Sequence, residues 1–373
     1  MTAPVQQPVV VRPESSPRRF LDAQRAFYRD DRNYVPPVTC AETWQVDRRK
    51  NPFFGHGEAE FWLAWRGNEL VGRISAARDR MHDELHGDKV GMFGHFEARD
   101  QATTAALLDT AASWLSAHGA TSLRGPIDLS TNYRAGLFVE GEPGPPALLM
   151  PHNPATYPGL LEACGLRKAK DLLALLMRAT EVDIGRLERL SARLQSRTKA
   201  RVRRLDVRRM QAEIEILWSL YNRIWEQNWG FAPMSREEFL YQAKDMKPLV
   251  RPELTGIAEL DGEPIGFAIG LPDIGAAIRR CDGRLLPFGW WHLLRAPARV
   301  RTMRMLTLGV LREHRQAGID ALLLHSIIRD GLELGIHQCE CSWVLEDNHA
   351  MIRVTEAIGG RVYRRYRVYE RSL

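Results

Sequence analysis

Apolar and polar positions follow the same course twice along this chain. Residues 63–79, LAWRGNELVGRISAARD, form an apolar stretch, a polar turn with glycine and a second apolar stretch. Residues 257–273, IAELDGEPIGFAIGLPD, repeat the arrangement. Such a pattern predicts a β-hairpin. Glu69 and Glu263, Gly72 and Gly266, and Asp79 and Asp273 each stand 194 residues apart. The same offset returns in LLEACGL (160–166) and VTEAIGG (354–360), where Glu162 aligns with Glu356 and Gly165 with Gly359. Between these matches Gly119 and Gly335 are 216 apart, so the second half holds about 22 extra residues before that point and the first half recovers them after it. Glycines just past a helical stretch suit a helix C-terminus. A recurring offset implies two copies of one unit, joined near 180–210.

In the second copy the periodicity predicts a helix over 210–229, the 257–273 hairpin, a strand at 305–310, a helix over 316–334, a strand at 338–345, a helix over 349–358 and a terminal pair of strands from 361. Strands alternating with helices after a hairpin predict an α/β fold, a mixed sheet with helices on both faces. The expected division is a disordered tail over 1–20, one domain over 21–180 and a second over 181–373.

Length and composition agree with two soluble globular domains: 373 residues, 45% apolar and 26% charged. No run approaches the roughly 18 apolar residues of a membrane-spanning helix, and the N-terminus lacks the apolar core of a signal peptide. Five cysteines without metal-type spacing point to reduced thiols, a cytoplasmic chain and no metal site. The net charge of +6 favours anionic partners. Much of it lies in RTKARVRRLDVRR (197–209), read as a solvated linker and strand edge. No recognition helix or aromatic RNA platform accompanies it, so nucleic acid is not an expected partner.

Residues 315–320, RQAGID, join the 305–310 strand to the next helix. Free backbone N–H groups at a helix start can hold phosphate, although an ordinary turn has the same composition. An Arg/Gln-x-x-Gly-x-Gly/Ala turn at this place in the order of elements resembles the GNAT superfamily of acyl-CoA-dependent N-acyltransferases. Arg315 and Gly318 match, and Asp320 departs from the pattern. The superfamily's Asn-x-x-Ala-x-x-x-Tyr-Glu-x-x-Gly-Phe is met by Asn348, Met351, Glu356 and Gly359, with Thr355 in the tyrosine place and Gly360 in the phenylalanine place. The stretches at 51–64, 124–132, 221–239 and 283–291 further resemble a bacterial family of tandem GNAT-like proteins of about 370 residues, some of which are ceramide synthases.

The resemblance implies two tandem GNAT-like domains, the first without the cofactor turn. Leu308, Gly309 and Val310 would hold the pantetheine arm, and Arg315, Gln316, Ala317, Gly318, Ile319 and Asp320 the pyrophosphate, with Asn348 beside them. Acyl-CoA, or an acyl carrier protein thioester, is the expected donor, and no cofactor is held permanently. The acceptor is an amine or an amino lipid.

Amide formation from a thioester needs a group that takes the amine proton, N–H donors for the oxyanion, and departure of the thiolate. The Val310 amide suits the oxyanion. Glu346, Glu238 and Asp273 are candidate bases. Tyr366, with Tyr363 and Tyr369, is a candidate acid in place of Thr355. Trp225, Trp229 and Phe231 suit core packing or, as the resemblance implies for the loop that covers the acceptor, an acceptor wall, which Asn132, His56 or Ser130 reach if the copies meet there. The extra segment carries Trp290 and Trp291 among leucines, followed by arginines, a composition shared by packed loops and by surfaces that rest on the inner membrane. Three functions stay open: long-chain acyl transfer to an amino lipid, acetylation of a small amine or peptide, and non-catalytic binding of acyl-CoA or lipid.

Overall fold

A computed structural model of the protein describes residues 7–373. The first half contains β1 (Val9–Pro13), α1 (Pro17–Asp22), α2 (Thr39–Gln45), β2 (Gly57–Arg66), β3 (Glu69–Asp79), α3 (Arg80–His86), β4 (Val90–Ala98), α4 (Gln101–Ala117), β5 (Ser122–Gly125), β6 (Leu137–Gly141), α5 (Tyr157–Ala163) and β7 (Arg167–Arg178). The second contains α6 (Ile184–Gln195), β8 (Arg201–Arg204), α7 (Met210–Trp225), α8 (Arg236–Met246), β9 (Thr255–Leu260), β10 (Glu263–Pro272), α9 (Gly275–Arg280), α10 (Gly289–Arg295), β11 (Thr302–Val310), α11 (Ile319–Glu333), β12 (Gln338–Leu345), α12 (His349–Ala357) and β13 (Arg361–Ser372).

Both expected hairpins form, as β2–β3 and β9–β10. β7 and β13 begin 194 residues apart and end 194 residues apart, at Arg167–Arg178 and Arg361–Ser372. Three expectations need correction. The terminal pair of strands is one strand of 12 residues, bent where its register against β7 shifts between Val362 and Arg364 and between Val368 and Tyr369. Bulges of this kind bend a strand without ending it. The helix expected over 210–229 stops at Trp225, because Asn222 and the Trp218 indole bind the backbone of Met234 and draw the chain back as a loop. The stretch expected to be a disordered tail over 1–20 carries β1 and the start of α1. β1 pairs along β2, and Val9 and Val11 pack on a cluster that includes Trp62 and Leu107. Residues 1–6 of that stretch lie outside the described residues.

The halves do not own separate sheets. Among the described residues one 13-stranded sheet runs β1-β2-β3-β4-β5-β13-β7-β12-β11-β10-β9-β8, with β6 paired to β13. Each half lends its last strand to the other: β13 lies against β5, and β7 against β12. The two exchanged strands pair with each other through equivalent residues, Arg367 with Asp171 and Arg365 with Leu173, about a central pair of Tyr366 and Leu172. The duplication thus folds about a pseudo-twofold axis at that central pair. Asp171 is 1% exposed and binds Arg365 and Arg367 across the axis. These partners outweigh the cost of burial and hold its carboxyl down at about 2.

Helices cover both faces. Leu107, Leu108, Ala111 and Leu115 of α4 seat on the first half's strands. Leu217, Leu220 and Ile224 of α7 and Leu323, Leu324 and Ile327 of α11 share a cluster with β9, β10, β11 and β12 in the second. The basic stretch contains edge strand β8, where Arg203 pairs with Glu213 and Glu259 and Arg204 with Asp330. Charge on an edge strand opposes edge-to-edge association.

Candidate functional site

The site begins where two strands part. β11 and β12 pair in parallel only from Thr302–Met305 to Gln338–Cys341. Past that point β11 bulges against β10 after Ile269, and β12 shifts register against β7 between Cys341 and Val344. The fork stays open, and Leu306, Thr307, Leu308, Trp343, Val344 and Leu345 line a cavity beyond it. In the first half, β4 and β5 also separate after Met92 and Arg124, but the chain fills its own gap. The Ile127 amide donates to the Phe93 carbonyl at 2.6 Å and the His95 amide to Asp128 at 2.6 Å. A methyl group on Gly94 would lie 2.3 Å from the Ile127 carbonyl oxygen. That fork has no room for a ligand.

At the open end of β11 the 315–320 turn leads into α11. Gln316 and Gly318 have φ of +70° and +76°. This places Gly318 at the N-cap in the left-handed region, where a side chain is costly. Among the described residues, the amides from Gln316 to Ala321 have no protein partner and form an N–H cradle. Ile319 is buried in the core and anchors the cradle. Arg315 has a different task from the one expected of it. Its guanidinium donates to the carbonyls of Val310 at 3.2 Å and Ile224 at 2.8 Å, stapling the turn to β11 and α7. Asp320 sits in the first helical turn, where a carboxylate favours the helix dipole and competes with a bound anion.

The cavity measures about 1160 Å³ and lies between the halves. That is at or above the upper end of the roughly 300–1,000 Å³ range of ordinary small-molecule pockets. Trp225, Trp229, Phe231, Asn132, Trp290, Leu308 and Asn348 line it. Asn132 donates to the Ala232 carbonyl and accepts from the Tyr221 hydroxyl, and Thr131 donates to the Gly230 carbonyl, so a loop from each half closes the junction. Asn348 also caps α12 through the Met351 amide. Gly309 packs under Ile224 and Trp225, and Val310 is buried at the strand end. Trp291 lies outside the lining, its ring covered by Arg295 at 3.7 Å.

Two expected catalytic residues are elsewhere. Glu346 is held by Lys168 at 2.6 Å and by the Asp171 amide at 3.1 Å, because the exchanged strand β7 runs past the end of β12. Tyr366 is buried on the pseudo-twofold axis and outside the cavity lining, and burial pushes its hydroxyl up to about 12. Tyr363 donates to Glu340 and Tyr369 to Glu162. Thr355 is fully buried and donates to the Met351 carbonyl. Asp273 accepts from the Gly275 amide and Asp79 from the Met81 amide, matching turns at equivalent hairpin ends.

Glu238 has the better setting. It has no exposed surface and accepts from the Tyr133 hydroxyl at 2.8 Å and from His56 Nε2 at 3.0 Å. His56 Nδ1 reaches Asp79 at 3.0 Å. Tyr133 also lies 3.1 Å from Asn51 and lines the cavity. A ladder Tyr133–Glu238–His56–Asp79 therefore runs from the cavity wall into the protein, with Glu238 from one half and the rest from the other. Burial disfavours the charged His56 ring, but its bonds to Asp79 and Glu238 carry it up to about 9. Burial and the Glu238 charge keep the Tyr133 hydroxyl well above its usual range, and so protonated. Tyr133 was not singled out in the sequence; its position one residue past Asn132 was the available signal.

The raised His56 value has a thermodynamic consequence. Its folded pKa of about 9 exceeds the unfolded value of about 6.5, so the stabilisation is complete below pH about 6.5 and is lost as pH rises through about 9. We expect the melting temperature to fall across that window and the fall to be shallower in His56→Gln. Parallel melting curves for the two proteins would show the ladder to be uncharged.

A second buried group borders the cavity. Arg304 donates to the Ser342 carbonyl and hydroxyl and to the Leu148 carbonyl, and Ser342 donates to Glu340. Arg304 and Ser342 both line the cavity below the fork. Burial pushes Arg304 down and Glu340 up.

A family model described as the Acetyltransferase (GNAT) family matches residues 214–359. The chain is 36% identical over 364 residues to Protein YghO of Escherichia coli, covering 95% of this chain and 93% of that protein. It is 35% identical over 364 residues to a Caulobacter vibrioides protein named bacterial ceramide synthase, covering 95% and 94%. Among solved structures, a tandem GNAT protein from the clavulanic acid biosynthesis pathway matches with a TM-score of 0.59 at 15% identity, over 98% of both chains.

Proposed function

Because the chain belongs to the GNAT superfamily, in the tandem GNAT-like family of bacterial N-acyltransferases that includes a ceramide synthase, we propose that it moves a long-chain acyl group from acyl-CoA to the amine of a sphingoid base or similar amino lipid. The observation that carries this reading is the open β11–β12 fork leading into an apolar cavity of about 1160 Å³. A small acetyl acceptor has no use for such a volume. Each CH₂ that leaves water for it contributes about 0.8 kcal/mol.

In this reading the pantetheine arm lies along Leu308–Val310 and the pyrophosphate meets the amides of Gln316–Asp320. Asn348, at the cap of α12 and on the cavity wall, flanks the donor. The thioester carbonyl sits in the fork, with the Val310 amide as oxyanion donor. The acceptor amine approaches from the cavity, between Trp225, Trp229, Phe231 and Asn132. As its nitrogen bonds to the thioester carbon, the amine proton passes to Tyr133, whose own proton moves to Glu238. The C–S bond then breaks and CoA leaves as the thiolate, and the proton held on Glu238 returns through Tyr133 to the cavity, where the thiolate takes it up and the relay is restored. His56 and Asp79 position the Glu238 carboxylate and do not touch the substrate.

Release of free thiol tests the proposal. Palmitoyl-CoA, acetyl-CoA and a palmitoyl carrier protein are each paired with a long-chain sphingoid amine, a small amine and a peptide. The expected result is turnover with the sphingoid amine, rising roughly fourfold in kcat/KM per donor CH₂ until the cavity is full. A preference for acetyl-CoA would remove the lipid reading. Asp320 beside the anion cradle and the buried Thr355 in the family's tyrosine place favour one other outcome, a binder that holds acyl-CoA without turnover on any amine.

A further inference from the structure

The segment between β10 and β11 has no counterpart in the first half. There β3 and β4 are joined across residues 80–89 by the short helix α3 alone, whereas residues 273–301 carry α9, α10 and the loops around them. We propose that this insertion is a membrane-docking portal, which seats the cavity mouth on an anionic lipid leaflet so that the acceptor enters from the bilayer. The portal deepens the lipid-acceptor reading and rests on it.

Three observations carry the inference. The first is exposure: Leu286, Phe288 and Leu294 are 80%, 73% and 65% exposed, and Trp290 and Trp291 stand half out beside them. A patch of large apolar side chains in water marks a contact surface. The second is continuity with the cavity. Leu149, Trp290 and Leu294 are exposed and also line the cavity, so its mouth opens within the patch. Leu149 holds φ of +64°, a conformation that a leucine adopts only when its surroundings impose it. The third is charge. Arg280, Arg284, Arg295 and Arg299 are exposed along the same segment. Asp282, the one acidic residue in the sequence from 274 to 301, pairs with Arg25 at 2.8 Å and with Arg284 at 3.5 Å.

Tryptophan and leucine followed by exposed arginines fit the boundary between acyl chains and anionic headgroups. The arrangement is braced: Arg25 also donates to the Asp282 carbonyl, and Arg279 to that of Arg32. α10 has seven residues, and among the described residues no helix is long and apolar enough to cross a membrane, so the contact is interfacial. A lipid amine passing directly from leaflet to cavity never exposes its chain to water.

Flotation of the full chain with vesicles tests this. Phosphatidylcholine vesicles containing about one quarter phosphatidylglycerol are compared with pure phosphatidylcholine. The double variant Leu286→Asp, Phe288→Asp changes the patch without touching the cavity lining. Wild type is expected to float with the anionic vesicles, less at about 0.5 M salt, and the variant to bind at least about tenfold less. Turnover of a long-chain amine presented in vesicles should fall alike, while turnover of a short-chain, freely dissolved amine stays the same. If the wild type fails to float, or the variant floats as well, the portal is wrong, even where long-chain acylation proceeds from detergent. If the wild type floats and no long-chain amine is acylated under any presentation, the docking surface stands and the lipid-acceptor reading falls. Retention of the patch by a soluble protein in place of vesicles overturns the portal too.

Discussion

Glu238→Gln is expected to lower kcat for amide formation by about 10²–10⁴-fold, the usual worth of a positioned general base, while acyl-CoA binds as before. The carboxylate is fully buried and takes hydrogen bonds from Tyr133 at 2.8 Å and His56 at 3.0 Å. Glutamine keeps an acceptor for Tyr133 but cannot take its proton. Tyr133→Phe breaks the same relay at the cavity wall and should cost a comparable factor. Burst and steady-state kinetics, with a melting curve to confirm folding, check both. A structural Glu238 predicts instead a lowered melting temperature with kcat nearly intact. His56→Gln gives a further reading: as a positioning residue, His56 should alter the pH profile of kcat more than its maximum.

Gly318→Val is expected to weaken CoA binding by at least about 100-fold in a protein that still folds. The φ of +76° at the N-cap of α11 is a region that β-branched residues avoid. A methyl group there would also lie 2.5 Å from the Leu194 side chain of α6. Relaxing the turn misdirects the free amides from Gln316 to Ala321. Losing two hydrogen bonds to charged phosphate costs about 3 kcal/mol or more, which is roughly 100-fold or more in affinity. Calorimetric titration with CoA measures it. Gly318→Ala combined with Leu194→Ala removes the crowding and keeps the strain, so binding should stay weak in that pair. Full recovery would trace the loss to crowding rather than to backbone conformation. Unchanged CoA affinity in Gly318→Val would remove the donor site from this turn.

The two corrected catalytic residues show where reading along the chain stops. Glu346 ends a strand beside a fork, and by position it suits a base. It is lost to Lys168 because β7, from the other half, lies alongside β12. Tyr366 follows the family's tyrosine place closely in sequence, yet it falls on the axis that relates the halves. Arg315 belongs to the turn but is bonded to main-chain carbonyls five residues before it and one helix away. In each case the deciding partner is distant in sequence and comes near only through strand exchange or loop packing.

What the sequence determined by itself is local or repeated. Both hairpins, the turn at 315–320, the helix after it and the 194-residue repeat follow from hydrophobic period and turn chemistry acting over a few residues. The tertiary structure alone decided that the copies exchange their last strands, that one fork is filled and the other open, and that Glu238 meets Tyr133, His56 and Asp79 of the opposite half. The physical reason is range. Backbone conformation and side-chain period are set by neighbours along the chain, whereas a buried hydrogen bond or a cavity depends on which surfaces the folded halves bring into contact.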